Sequence, residues 1–224
     1  MPRQAGAHET IDDVLSRHAR REAAIDRALH LIGLAAAIVG GIVLLSAAAS
    51  ARNAALAVGV ALYLSGLFAM LICSALYNRA RPSPRKALLR RFDHAAIFLL
   101  IAGTYSPFMA GATDDLAIAA VYFGVWSVAA LGIVVKLLFP GRFGTVSTVL
   151  YLVLGWSVLL VIGPLAERVP PSLIWLLGLG GALYSIGVVF YLWERLPYQN
   201  ALWHGFVLSA AATHYAAVLA YVSA

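Results

Sequence analysis

The chain has 224 residues, 62% of them hydrophobic and only 12% charged, with a formal net charge of +6 and a mean hydropathy of +0.86. That balance excludes an ordinary soluble domain. The basic residues flank apolar runs, so the positive charge reads as membrane orientation and anionic-lipid contact instead of nucleic-acid binding. The single cysteine, Cys73, excludes a disulfide within one chain.

Residues 1–27 are polar. The stretch HETIDDVLSRHARREAAIDRA suits a cytoplasmic segment that can lie on the membrane as an interfacial helix, with Thr10 as N-cap, Asp13 three residues on, and Ile11, Val14 and Leu15 on one face. The first apolar run starts late and lacks a small-residue cleavage pattern, so it does not read as a signal peptide. Residues 28–224 then read as an all-α membrane protein, a seven-transmembrane helix bundle with spans near 28–49, 54–78, 92–111, 116–139, 146–165, 171–193 and 201–223. Each approaches the roughly 18–20 residues that cross a bilayer core. The connections are short, so any chemistry lies within the bundle.

With seven spans the loops alternate between two sides. Fourteen Lys and Arg fall on the side of the N-terminus, most densely between Arg79 and Arg91, and only Arg52 and Arg168 fall on the other. The positive-inside rule then predicts a cytoplasmic N-terminus and an outer C-terminus for a multi-pass membrane protein. This hand is opposite to that of G-protein-coupled receptors, so a G protein is not an expected partner. Lys136 is expected to snorkel to the headgroups.

That topology brings polar groups to one depth. Ser74 and Asn78 end the second span, Asp93 and His94 open the third, and Asn200 and His204 open the seventh. Polar and ionisable side chains inside a membrane are costly and usually face a bundle interior or a wet cavity, which makes this group a candidate pocket. Ser74 with Asn78, and Asn200 with His204, are four apart and can point together, whereas Asp93 and His94 diverge by about 100°. His214 lies ten residues beyond His204, about 15 Å along the helix, too far to share a metal ion with it. It reads as an interhelical hydrogen-bonded histidine.

The strings SxxxN at Ser74–Asn78, FDHAAIFLLIAGTYSPF from Phe92 to Phe108, PYQNALWHGFVLSAAATHYAAV from Pro197 to Val218, and ALHLIG from Ala28 to Gly33 resemble the hemolysin III family. That family is the bacterial branch of the progestin and adipoQ receptor superfamily, so the resemblance implies a place in a bacterial inner membrane. The resemblance implies a zinc site near the cytoplasmic face, built from one histidine ending the second span and an HxxxH pair opening the seventh. Ser74 and Asp93 match the family's accompanying serine and aspartate and so take the catalytic positions.

Here the first histidine position is Asn78 and the second is Asn200, leaving His204 as the one remaining metal ligand. A neutral amide is a poor substitute for imidazole on zinc, so zinc is expected to be absent or weakly held. The expected function is therefore that of a hemolysin III-like membrane protein acting in membrane homeostasis or lipid sensing. Its pocket would be degenerate and metal-free, its partners membrane lipids, with room for a lipid ligand. Two other functions stand beside it. One is a zinc-dependent intramembrane lipid-amide hydrolase of the ceramidase type. The other is a pore-forming haemolysin, which the absence of repeated charge rings disfavours.

Overall fold

The computed structural model describes residues 11–224, with side chains from Arg17 onward. Thr10 and the side chains of Ile11, Asp13, Val14 and Leu15, on which the interfacial-helix reading rests, lie outside the described residues. The described elements are α1 (Ile11–Ser50), α2 (Ala54–Arg79), α3 (Pro84–Met109), α4 (Leu116–Leu138), α5 (Gly144–Trp156), a 3-10 turn (Ser157–Val161), α6 (Ile162–Ala166), α7 (Pro171–Leu192) and α8 (Gln199–Val222). The expected boundary between residues 27 and 28 falls inside α1, which is continuous from Ile11 to Ser50.

Length and composition qualify six helical stretches among the described residues to cross a membrane: Arg17–Ser50, α2, α4, Gly144–Ala166, α7 and α8. The expected third span falls in α3, which is outside that set. Its first ten residues carry Arg85, Lys86, Arg90, Arg91 and Asp93, and its end carries Thr104, Tyr105 and Ser106. A polar-flecked helix is tolerated at that position because protein covers it: Ala102 and Ser106 are fully buried, and Phe98 and Met109 nearly so.

Short turns join the helices. Asn53 caps α2 by accepting from the Leu56 N–H at 3.1 Å, after Arg52 takes the left-handed turn at φ 50°. Ser83 accepts from the Lys86 N–H ahead of Pro84 at the start of α3. Asp115 accepts from the N–H groups of Ala117 and Ile118 at the start of α4.

Packing of α2 on α3 is backbone to backbone. A Cβ on Gly66 would come 2.7 Å from the Leu100 Cα, and one on Gly103 would come 2.8 Å from the Leu62 carbonyl oxygen. With no hydrophobic drive between helices in lipid, small residues that allow such close approach supply the association. This contact sets the register that brings Ser74 of α2 level with Asp93 of α3. Around it the ring closes, because α1 touches both α2 and α8, and α8 touches α7.

The Gly144–Ala166 stretch is broken rather than straight. Its helical ladder lapses at Gly155–Ser157, and the Tyr105 hydroxyl of α3 fills the gap, donating to the Leu154 carbonyl at 2.6 Å and accepting from the Val158 N–H at 3.0 Å. Lys136 does not snorkel. It is 7% exposed and its Nζ donates to the Phe143 carbonyl at 3.4 Å, while Arg91 donates to the Leu137 carbonyl, so two cations cover carbonyls around the end of α4. At the other end of the bundle Arg168 pairs with Asp114 at 3.1 Å on the surface, and that hydrogen bond holds the Asp114 carboxyl below the usual carboxylate range.

Candidate functional site

The site begins on α1 with a stripe that the sequence reading did not single out: His18, Glu22, Asp26 and His30, each four residues after the last and therefore on one helical face. Every one of them meets the bundle. The His18 ring lies edge-on to Tyr198 with centroids 5.9 Å apart, and Glu22 accepts the Asn200 backbone N–H at 2.9 Å. Asp26 contacts His204 Nδ1, and His30 reaches Ser74. The α1–α8 seam is thus polar at its start and apolar further in, where the Tyr215 hydroxyl donates to the Gly40 carbonyl at 2.9 Å.

At the centre, Asp26, His30, Ser74 and His204 close a ring. The Asp26 carboxylate faces the Nδ1 atoms of both histidines, at 3.5 Å for His30, and His30 Nδ1 also donates to the Asp26 carbonyl at 2.8 Å. The Ser74 hydroxyl faces both Nε2 atoms, at 3.1 Å for His30 and 3.4 Å for His204. The two imidazoles stand edge to face with centroids 4.7 Å apart. Asp26 and His30 are buried and the His204 side chain is 12% exposed.

The residues singled out from sequence take different places. Ser74, Asp93 and His204 line one cavity. Asn78 sits just outside it, its amide donating to the Ser74 carbonyl at 3.0 Å and reaching the Ser74 hydroxyl at 3.3 Å, so it holds the serine from behind. Asn200 is exposed, and its contribution is the backbone N–H given to Glu22, an orphan donor of the first helical turn. His94 is not among the cavity-lining residues. Its charged neighbours are Lys136 and Arg90, and its carbonyl accepts from the Tyr151 hydroxyl at 2.8 Å. His214 joins α8 to α7, with Nε2 donating to the Leu177 carbonyl at 3.2 Å.

The cavity holds about 330 Å³, within the range of pre-formed small-molecule sites. Its lining runs along α3 from Asp93 to Met109, about 24 Å at the helical rise. Apart from the polar end it is predominantly apolar, with Leu100, Phe108, Ile162 and Val207 among its walls. No lysine or arginine is among the lining residues.

Zinc, which the resemblance implies, fits this protein at a different donor set. Asn78 and Asn200 offer amides in place of imidazoles, one turned to Ser74 and the other exposed. Asp26, His30 and His204 each offer one ligand atom, all within 4.8 Å of one another. Two imidazoles and a carboxylate are a donor set of catalytic zinc centres. The ligand count from sequence omitted Asp26 because the first span was begun at Ala28, and His30 because the polar groups were gathered only from the second, third and seventh spans. The signal that could have found them is the acid–histidine pair four apart at the mouth of an apolar run, the same spacing that grouped Ser74 with Asn78.

Comparison with known proteins agrees with the architecture. The family described as Haemolysin-III related matches residues 20–215. The chain is 36% identical over 192 residues to the Hemolysin-3 homolog of Bacillus subtilis (strain 168), covering 86% of this chain and 90% of that one. It is also 36% identical over 193 residues to Hemolysin-3 of Bacillus cereus, covering 86% and 88%. Identity to the human Monocyte to macrophage differentiation factor is 29% over 169 residues, 72% of this chain and 69% of that one. No solved structure matches. A multi-pass helical membrane protein with these relatives belongs to the haemolysin III family.

Proposed function

We propose that this protein binds a membrane lipid in the intramembrane cavity and acts in lipid sensing or membrane homeostasis. One observation carries the reading: a predominantly apolar cavity, lined by α3 over about 24 Å of its rise and by helices apolar enough to cross a membrane, ends at carboxylate, imidazole and hydroxyl groups. An acyl chain matches the long apolar part, and a headgroup linkage with donors and acceptors matches Ser74, Asp93 and His204. In this reading all seven long helical elements span a bacterial inner membrane with the N-terminus in the cytoplasm. Support comes from the fourteen-to-two division of basic residues and from the burial of α3 inside the bundle.

The test uses Gly178, which lines the cavity and where an added Cβ meets nothing within 4 Å. Protein purified in mild detergent is expected to carry co-purifying acyl lipid by mass spectrometry, and Gly178→Phe, which fills the cavity, is expected to lose it. Equal lipid in both proteins would refute the reading.

A second reading, a lipid-amide hydrolase, is favoured by Ser74, Asp93 and His204 opening on the same cavity. A zinc ion bound nearby would supply Lewis-acid polarisation and an activated water. This chain's residues would position the substrate carbonyl, with Asp93 accepting a proton and Ser74 donating a hydrogen bond. Release of fatty acid from a lipid amide, abolished by Asp93→Ala, would establish it; no release from the unmodified protein would dismiss it.

A further inference from the structure

We propose that Asp26, His30 and His204 together hold one divalent transition-metal ion of the zinc class, with two of its three ligands supplied by α1. This donor set shares only His204 with the one the family resemblance implies. It goes beyond the lipid reading and does not depend on it.

The convergence of donors supports it. The Asp26 carboxylate faces Nδ1 of both histidines, at 3.5 Å for His30, so three ligand atoms from two helices meet at one place in the bundle. A neutral imidazole carries one N–H, and with a metal on Nδ1 that N–H lies on Nε2. Both Nε2 atoms face the Ser74 oxygen, at 3.1 Å for His30 and 3.4 Å for His204, and a hydroxyl oxygen has two lone pairs with which to accept them.

Charge counting gives the same answer. Asp93 lines the cavity with no lysine or arginine beside it in the lining, and the adjoining ring sets the Asp26 carboxylate among two imidazoles and a hydroxyl. A proton on His204 would supply one positive charge. A divalent ion supplies two and is met directly by the carboxylate and both imidazoles. Two imidazoles and one carboxylate select a metal of the zinc class over magnesium or calcium, which prefer all-oxygen sets. The surroundings match a metal centre as well. Histidines that bind metals usually give their other N–H to a hydrogen-bond acceptor, and the Ser74 hydroxyl stands at the far edge of both rings. Ser74, steadied by Asn78, then stands at the edge where the cavity opens.

The experiment is metal analysis on the full chain purified in detergent, stripped with a chelator, reloaded with zinc and dialysed. Expected is one zinc per chain, with retention falling at least about tenfold in His30→Gln and in Asp26→Asn. Arg168→Ala, at the far end, keeps it. The same stripped protein loaded with cobalt(II) is expected to show the strong visible absorption of a four-coordinate site and to lose it on adding zinc. That readout needs no variant, so poor folding of the substituted proteins does not rescue the proposal. Absence of both stoichiometric zinc and the cobalt spectrum overturns it, and so does full zinc retention in His30→Gln and Asp26→Asn. Gly178→Phe separates this proposal from the lipid reading: lipid lost with zinc kept supports both, whereas zinc lost from that variant, on α7 and outside the α1–α8 donor set, contradicts the metal assignment.

Discussion

The two walls of the cavity are built on different principles. The α2–α3 wall is dense: Gly59, Gly66 and Gly103 let two backbones touch, and Tyr63, Phe98, Ala102 and Ser106 are at most 1% exposed. The opposite wall, formed by α5, α6 and α7, is open. An added Cβ would meet nothing at Gly155, Gly163 or Gly178, and Leu160 and Trp175 are 78% and 79% exposed. The dense wall carries Ser74 and Asp93, whose positions must be held; the open wall carries the helical break and faces lipid. Rigid geometry is spent where polar groups meet, and looseness is left where an apolar ligand would enter.

Substitutions that exchange the character of the walls should separate them, beginning with the largest effect. Gly66→Leu drives a side chain into the α3 backbone and should cost about 3 kcal/mol or more, read as a large fall in thermal midpoint in detergent. Tyr105→Phe should cost about 1–3 kcal/mol, because the Leu154 carbonyl and the Val158 N–H at the break lose their partner. Its thermal midpoint should fall less than that of Gly66→Leu and its proteolysis should concentrate near residues 154–158. Gly178→Phe should leave the midpoint nearly unchanged while displacing lipid, since its side chain enters empty space. Arg168→Ala should change nothing measurable, because the pair with Asp114 is exposed and screened. If Gly178→Phe destabilised as much as Gly66→Leu, the two walls would not differ as described.

Much of this architecture is legible in the sequence, because a bilayer fixes span length and leaves apolar runs unmistakable. The common depth of Ser74, Asp93 and His204 follows from their places at span ends, and all three line one cavity. Asp26 and His30 were harder to read. A hydropathy boundary at residue 28 separates Asp26 from the first span, and the surrounding arginines make the stretch look interfacial, although the helix simply continues through it. The burial of Lys136 was hidden because its partner, the Phe143 carbonyl, belongs to a residue at φ 59°, and the Pro140-Gly141 and Gly144 around it announce a turn without saying where that carbonyl points. The break after Trp156 carries only Gly155 as a local signal, since the group that stabilises it, Tyr105, is some fifty residues away.

The central claim is that α1 completes the site, so the direct measurement is zinc retained per chain by three proteins treated identically: the unmodified chain, His30→Gln and Asn78→Ala. The account predicts one zinc in the unmodified chain, one in Asn78→Ala, and a loss of at least about tenfold in His30→Gln. Zinc lost from Asn78→Ala but kept by His30→Gln would contradict it.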